Sequence, residues 1–271
     1  SLVGSEMCIR DRDKTLFCEM TGFAGWNLFG NLAAITFTQG LNLLLNMFFG
    51  PVVNAARGIA VQAQTAIGQF SSNFQTALNP QITKSYATGD MEYMHGLIFR
   101  SAKFSFFLLL LLSLPVLIET KALLTLWLKI VPDHTVVFLR IMLCTTWVYA
   151  VSNPLITAAS ATGKIKLYQS VVGGLLLLIL PISYLCLRLG LPAYSVFIVH
   201  LVIEITAQFA RLLMLKRMIK LSLREYFSKV VWCIFKVTAI ALAVPQAVIY
   251  CHPQHGVWNL LMVCLVCTLS T

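Results

Sequence analysis

The stretch "PVVNAARGIAVQAQTAIGQFSSNFQTALNPQ", Pro51–Gln81, decides how the remainder of this sequence is interpreted. It is rich in amides, hydroxyls and small side chains, although the whole chain is 58% hydrophobic and only 11% charged. Soluble proteins carry about 25% charged residues. We therefore interpret the stretch as a membrane helix of which one side faces water.

Long apolar runs elsewhere in the chain indicate an integral membrane protein. The clearest are "FSFFLLLLLSLPVLI" (Phe104–Ile118) and "VVGGLLLLILPISYLCL" (Val171–Leu187). A helix that spans the bilayer needs about 20 predominantly apolar residues. We predict an all-α, polytopic bundle of about eight transmembrane helices, made of one six-helix lobe and an extra pair. The predicted spans are residues 22–49, 54–83, 99–118, 136–161, 166–187, 193–215, 229–250 and a truncated 257–271.

The chain divides into three parts. The opening "SLVGSEMCIRDR" (residues 1–12) resembles a translated sequencing adaptor, and we expect it to be an artefact. Residues 13–220 form the predicted six-helix lobe. Residues 221–271 are predicted to be a cytoplasmic connector and two further helices, the last of them truncated. The chain is therefore expected to be a fragment.

Prolines inside the spans are compatible with this interpretation. Pro115, Pro154, Pro181 and Pro245 all lie within predicted spans. A proline lacks the amide that would bond the carbonyl four residues earlier. We expect the helices to continue as kinked spans, because neighbouring helices can supply another donor to the freed carbonyl.

Basic residues alternate between the loops. Lys121, Lys129 and Arg188 are the only three in one set of loops, against thirteen in the other set. This bias predicts that the amino end of the first span lies in the cytoplasm. The net charge of +10 thus reflects membrane topology, and no nucleic-acid partner is expected. The thirteen are Lys14, Lys84, Arg100, Lys103, Lys164, Lys166, Arg211, Lys216, Arg217, Lys220, Arg224, Lys229 and Lys236.

The polar residues of the 54–79 segment share one side of a helix. At 100° per residue they fall within an arc of roughly 200°. They either bond neighbouring helices or line a water-filled translocation cavity, and their number favours the cavity. The preceding span carries a sparser row of amides. The candidate substrate-binding residues on these two spans are Asn27, Asn31, Asn42, Asn54, Arg57, Gln64, Gln69 and Gln75.

Arg57 is the most unusual of these candidates. It lies in about the first turn of its helix, where the positive end of the helix dipole disfavours a cation. A guanidinium suits bidentate binding of phosphate oxygens. The alternative is an arginine that snorkels to the outer interface.

A second group lies in "HLVIEITAQFAR", residues 200–211. His200, Glu204, Gln208 and Arg211 share one helix face, and a carboxylate inside a membrane is costly. Glu204 and His200 are therefore candidates for coupling to a proton or sodium ion. A Glu204–His200 or Glu204–Arg pair that only holds helices together is the alternative. Neither "CHPQH" (Cys251–His255) nor the pair Cys264 and Cys267 predicts a metal site, and no cofactor is expected.

Three segments together resemble one known family. They are "FFGPVVNAARGIAVQAQTAIGQFSSNFQTALNPQITKSYATGD", "FRSAKFSFF" and "ITAASATGKIKLYQ". They are similar to bacterial polysaccharide flippases, the O-antigen and exopolysaccharide transporters of the multidrug/oligosaccharidyl-lipid/polysaccharide exporter superfamily. The resemblance runs from about Lys14 to the end and implies the C-terminal six-helix lobe with an extra pair. The protein's own N-terminal lobe would then be a missing partner.

The resemblance implies a transport function. An undecaprenyl-pyrophosphate-linked oligosaccharide would be flipped across the bacterial inner membrane by alternating access, in surface polysaccharide or lipopolysaccharide biosynthesis. The polar faces would line the sugar path, and Arg57 would meet the pyrophosphate. The implied partners are this lipid-linked oligosaccharide, the lipid bilayer and other polysaccharide-assembly proteins.

Two other functions would require residues that this sequence does not present. An ion-coupled multidrug antiporter of the same superfamily would present more carboxylates, whereas Glu204 is the only one in mid-span. A membrane-embedded transferase would need a cluster of acid, base or nucleophile. The loops offer only isolated residues such as Asp90, Glu92, Asp133 and His134. We do not expect an enzyme.

Overall fold

A computed structural model describes residues 14–163 and 165–251. Within these ranges the chain is helical almost throughout and contains no strand, so the all-α fold is confirmed. Residues 1–12, the 257–271 span and the pair Cys264 and Cys267 lie outside the described residues. The helices are α1 (Lys14–Ala87), α2 (Met91–Ile118), α3 (Thr120–Leu128), α4 (Thr135–Ala161), α5 (Ile165–Arg188), α6 (Ser195–Met218), α7 (Leu223–Tyr226) and α8 (Trp232–Cys251), with a π-helical turn (Phe227–Val231) between the last two.

Six helices in the described residues are long and apolar enough to cross a membrane, which indicates a multi-pass membrane protein. The prediction was eight. Two predicted spans, 22–49 and 54–83, lie within the single helix α1, and the span 257–271 is outside the described ranges. The remaining five predicted spans each correspond to one candidate helix.

Helix α1 is broken at Gly50, where φ is 78° and ψ is −178°. Glycine adopts a positive φ without steric cost, and the following Pro51 suits the first position of a new helical segment. The Arg57 Nη2 atom lies 3.3 Å from the Thr38 carbonyl oxygen. In a straight helix these residues would be about 28 Å apart. The chain therefore reverses at Gly50, and α1 consists of a first half (residues 14–49) and a second half (residues 51–87).

The two halves of α1 pack on different neighbours. The first half packs closely on α5 at Gly40. A Cβ atom at this position would collide with the Leu180 side chain. The second half forms hydrogen bonds with α4: the Gln64 amide donates to the Thr146 hydroxyl, and the Thr157 hydroxyl donates to the Asn79 side-chain oxygen. These pairs advance in the same direction along both helices, so the second half and α4 run parallel. Helix α6 packs against α4 and α5, and α8 packs against α2.

The basic connector differs from its prediction in two respects. Helix α6 continues to Met218, and helical structure resumes at Leu223, where the Ser222 side chain caps the Glu225 amide. Arg211 was counted among the basic residues of a cytoplasmic loop, although it was also placed on one helix face with Glu204. It is instead buried inside α6, with 3% of its surface exposed. The loop count was wrong at this residue, because a basic residue near the end of a span has the same sequence signature whether it points to water or inward. The placement of Arg211 on the helix that carries Glu204 is confirmed.

Candidate functional site

The second half of α1 carries two polar faces rather than one. Ser71 and Gln75 are buried, with 3% and 2% of their surfaces exposed. Gln69 and Asn73 are exposed and lie more than 100° further around the helix. We call the exposed row the polar strip. It consists of Gln62, Thr65, Gln69, Ser72, Asn73 and Thr76.

The buried face attaches the second half of α1 to its neighbours. The Gln64 side-chain amide donates to the Thr146 hydroxyl at 2.7 Å and to the Met142 carbonyl at 3.3 Å. The Ser71 hydroxyl donates to the Ser105 carbonyl of α2 at 3.0 Å. Gln64 and Ser71 therefore form hydrogen bonds between helices, one of the two roles predicted for the polar face.

Gln75 compensates for a proline in α4. Its amide donates to the Ala150 carbonyl at 2.7 Å. Pro154, four residues further on, has no amide hydrogen with which to bond that carbonyl. The expectation that a neighbouring helix satisfies the carbonyl freed by an internal proline is confirmed at this position. The free carbonyl of Ala150 is therefore sufficient to account for a buried glutamine at position 75.

The polar strip forms only local hydrogen bonds. The Gln69 amide donates to the Asn73 side-chain oxygen at 2.8 Å, and the Thr76 hydroxyl donates to the Ser72 carbonyl at 2.9 Å. The Gln69 side-chain oxygen and the Asn73 side-chain amide have no other protein partner among the described residues. The strip is about 21 Å long at 1.5 Å per residue. Its length and position place it along the middle of a helix that is long enough to span the membrane.

A cleft of about 290 Å³ opens between the strip and α4. Gln64, Gln69 and Gln75 all contribute to its wall, so the structure brings these three candidates together. Thr146 and Tyr149 form the opposite wall and were not predicted from the sequence. The polar residues within "TTWVYAVSN" (145–153) were the available signal. The cleft is lined by Gln64, Thr65, Gly68, Gln69, Ser71, Ser72, Gln75, Leu109, Thr146, Tyr149 and Ala150.

A second cleft of about 270 Å³ lies deeper in the bundle. It shares Gln64, Thr146 and Tyr149 with the first cleft and is lined by His200 and Glu204 on its far side. The two clefts are therefore adjacent. Together they extend from the strip to α6.

Glu204 is paired with Arg211 on its own helix. The Arg211 Nη1 atom lies 2.7 Å from Glu204 Oε1, and both side chains are almost completely buried. Arg211 also donates to the Ser152 hydroxyl of α4 at 3.1 Å, and Ser152 donates to the Gln208 side-chain oxygen at 2.5 Å. The pair thus belongs to a network that joins α6 to α4. His200 instead packs its ring against Phe37, with 4.8 Å between centroids.

Arg57 connects the two halves of α1. The side chain is buried, with 7% of its surface exposed. Its guanidinium donates to the Asn42 side-chain oxygen and to the Thr38 carbonyl. The Arg57 Nε atom and the Asn54 side-chain oxygen are buried without a hydrogen-bond partner in the described structure. The Arg57 side chain is therefore directed into the bundle, and its bonds stabilise the reversal at Gly50.

The remaining candidates of the first half of α1 are separate from the strip. The Asn27 side-chain oxygen accepts a hydrogen bond of 3.4 Å from Gln169 of α5. Asn31 is exposed. The structure thus places the predicted residues in four groups: the cleft beside the strip, the second cleft, the Arg57 reversal and the contact with α5. Asn31 belongs to none of these groups.

The chemistry available along the strip and in the first cleft is hydrogen bonding by uncharged groups. The described residues contain no group of three His, Cys, Asp or Glu side chains that could hold a metal ion. No protein-family model, no curated protein and no solved structure matches the chain. The assignment of a function therefore rests on the geometry of the strip and its clefts.

Proposed function

We propose that the chain is the C-terminal half of a bacterial polysaccharide flippase. It carries undecaprenyl-pyrophosphate-linked oligosaccharide across the inner membrane, by alternating access, for surface polysaccharide or lipopolysaccharide biosynthesis. The polar strip is the observation that carries this proposal. Amide and hydroxyl side chains both donate and accept hydrogen bonds, as the hydroxyl groups of a sugar do.

Lipid cannot be the neighbour of the strip. Hydrocarbon offers no hydrogen bonds, and exposing six uncharged polar side chains to it would cost several kcal/mol in sum. Water or another polar surface must therefore lie against these side chains. In this proposal the neighbour is the cavity between this lobe and the N-terminal lobe, and rocking of the two lobes exposes the cavity to each side of the membrane in turn.

The helix arrangement supports the proposed architecture. With the reversal at Gly50, the two halves of α1 together with α2, α4, α5 and α6 provide six membrane-length segments. These six make up the proposed lobe of residues 13–220. The helical segment that begins at Leu223 is then the first member of the extra pair.

An ion-coupled multidrug antiporter of the same superfamily is the second candidate. This candidate is favoured by the position of His200 and Glu204 on the wall of the second cleft. An ion-coupling carboxylate must exchange its ion during transport. Glu204 already has the Arg211 guanidinium as its counter-ion at 2.7 Å, so a proton or sodium ion would have to displace a buried partner. This geometry favours a structural role for Glu204 and hence the flippase.

The test is restoration of surface polysaccharide in a strain that lacks its own flippase, using the intact gene. We expect the Gln69→Leu/Asn73→Leu variant to lose restoration, because it removes hydrogen-bonding groups from the middle of the strip. Gln81→Leu is the matched control, since Gln81 is exposed on the same helix but off the strip. All proteins are compared at equal membrane abundance.

Two outcomes would contradict the proposal. One is full restoration by the Gln69→Leu/Asn73→Leu variant, which would mean that the strip is not on the transport path. The other is drug resistance without restoration, abolished by Glu204→Gln. That result would favour the antiporter.

A further inference from the structure

Tyr149 is the aromatic residue that faces the polar strip. It lies on α4 with 49% of its surface exposed and lines both clefts. Its hydroxyl has no hydrogen-bond partner in the described structure. Thr65, Gln69 and Ser72 of the strip line the same cleft. An open tyrosine ring thus stands beside a row of amides and hydroxyls.

This combination matches the chemistry of a sugar ring. A pyranose has an apolar face of C–H groups and a rim of hydroxyl groups. An aromatic side chain offers a flat apolar surface with a polar end, and amides offer both donors and acceptors. The cleft of about 290 Å³ is at the small end of ligand pockets, so its size suits one sugar unit rather than a whole oligosaccharide.

Charge further limits the ligand. The polar strip contains no charged residue. No lysine or arginine lines this cleft. The two arginines that are buried in the described residues already have partners, Arg57 in Asn42 and Arg211 in Glu204. A sugar carboxylate in this cleft would lose hydration without gaining a cationic partner, which is strongly unfavourable.

We propose that Tyr149, Gln69 and Ser72 form a subsite that binds one uncharged sugar unit of the transported oligosaccharide. The inference rests on the proposed function and specifies its substrate class as glycans that are neutral at this unit. Tyr149 stacks on the apolar face of the sugar. Gln69 and Ser72 bond its hydroxyl groups.

The experiment uses the intact protein in proteoliposomes. The probes are two fluorescent undecaprenyl-pyrophosphate-linked trisaccharides, one neutral and one in which a single hexose is replaced by a hexuronic acid. We expect the neutral lipid to cross at least about tenfold faster, because the acidic sugar has no cation in the cleft. Equal rates for the two lipids would overturn the inference while leaving the flippase proposal intact.

Three variants test the role of Tyr149. Tyr149→Ala should lower the rate for the neutral lipid about tenfold, because stacking is lost. Tyr149→Phe keeps the ring and should remain within about twofold of the wild type. Tyr184→Ala is the control, since Tyr184 is an exposed tyrosine of α5 outside both clefts. An unchanged rate in Tyr149→Ala would refute the subsite.

Failure of transport is separated from failure of the subsite by a binding measurement. If neither lipid crosses, the flippase proposal fails. Saturation-transfer NMR with the free neutral trisaccharide and the detergent-solubilised protein then decides the inference. Binding that is lost in Tyr149→Ala and kept in Tyr149→Phe would support the subsite. Absence of binding to the wild type would overturn it.

Discussion

Gln75 and Gln69 lie less than two turns apart on the same helix, yet their environments are opposite. Gln75 is 2% exposed and bonds the Ala150 carbonyl that Pro154 leaves free. Gln69 is exposed and bonds only its own helix neighbour, Asn73. The residue type is identical, so the position of α4 determines which glutamine is structural and which is available to a ligand.

The comparison extends to the whole bundle. Polar groups inside it, such as Arg211, Arg57 and Gln75, have specific protein partners. Within residues 14–163 and 165–251, the polar groups of the strip have no partner on another helix. Variants of the first kind should therefore change stability, whereas variants of the second kind should change accessibility and transport.

The largest effect is expected from Arg211→Ala. Removing the guanidinium leaves the buried Glu204 carboxylate without a counter-ion, and breaking a buried ion pair costs about 3–5 kcal/mol. The measurement is chemical unfolding in detergent. The double variant Glu204→Gln/Arg211→Met should recover much of the lost stability, because no charge remains buried. Equal destabilisation in the single and double variants would contradict this account.

Arg57→Ala should lower the free energy of unfolding by about 1–3 kcal/mol, because it removes bonds between the two halves of α1. A double-mutant cycle with Asn42→Ala measures whether the two residues act together. We expect a coupling energy of about 0.5–3 kcal/mol. Additive effects on stability, combined with loss of transport in Arg57→Ala alone, would instead favour the role of Arg57 in binding pyrophosphate.

Gln75→Leu should cost about 1–3 kcal/mol, since the Ala150 carbonyl is then buried without a donor. The informative partner is Pro154→Ala, which restores an amide hydrogen four residues after Ala150. In that background the cost of Gln75→Leu should be smaller. The two unfolding free energies are compared directly, and an identical cost in both backgrounds would rule out the compensation by Gln75.

The smallest effect on stability is expected on the strip. Gln69→Cys should change the free energy of unfolding by no more than about 0.5 kcal/mol. In a background without the eight native cysteines, this position should react with a hydrophilic thiol reagent. Gln75→Cys should not react, because residue 75 is buried against α4. The reverse pattern of reactivity would mean that the two faces of the helix have been exchanged.

Much of the fold was predictable because membrane crossing is a local property. Apolar length predicted five of the six candidate helices individually and both halves of α1. The reversal at Gly50 also depends on two adjacent residues, a glycine that adopts a positive φ and the proline that follows it. The short helix α3 was missed, because nine residues outside the long apolar runs carry no periodic signal strong enough to separate helix from loop.

The candidate site was only partly predictable. The amide-rich face was visible from the sequence, but its division into buried and open sides was not. Tyr149 and Thr146 lie more than 75 residues further along the chain than Gln69 and were not selected, because their role depends on which face α4 turns towards α1. For the same reason the sequence left open whether Arg211 belongs to a cytoplasmic loop or to the helix face of Glu204.

The sequence by itself determined that this chain is a helical membrane protein and that one of its helices has a polar side. Those properties follow from the apolar composition of each segment and from the 100° rotation per residue of a helix, and both can be read within one segment. Only the tertiary structure decided that Gln75 serves Pro154, that Glu204 has Arg211 as its counter-ion, and that the strip remains open. These outcomes depend on contacts between segments distant in the chain, and a side chain's own identity does not specify its neighbour.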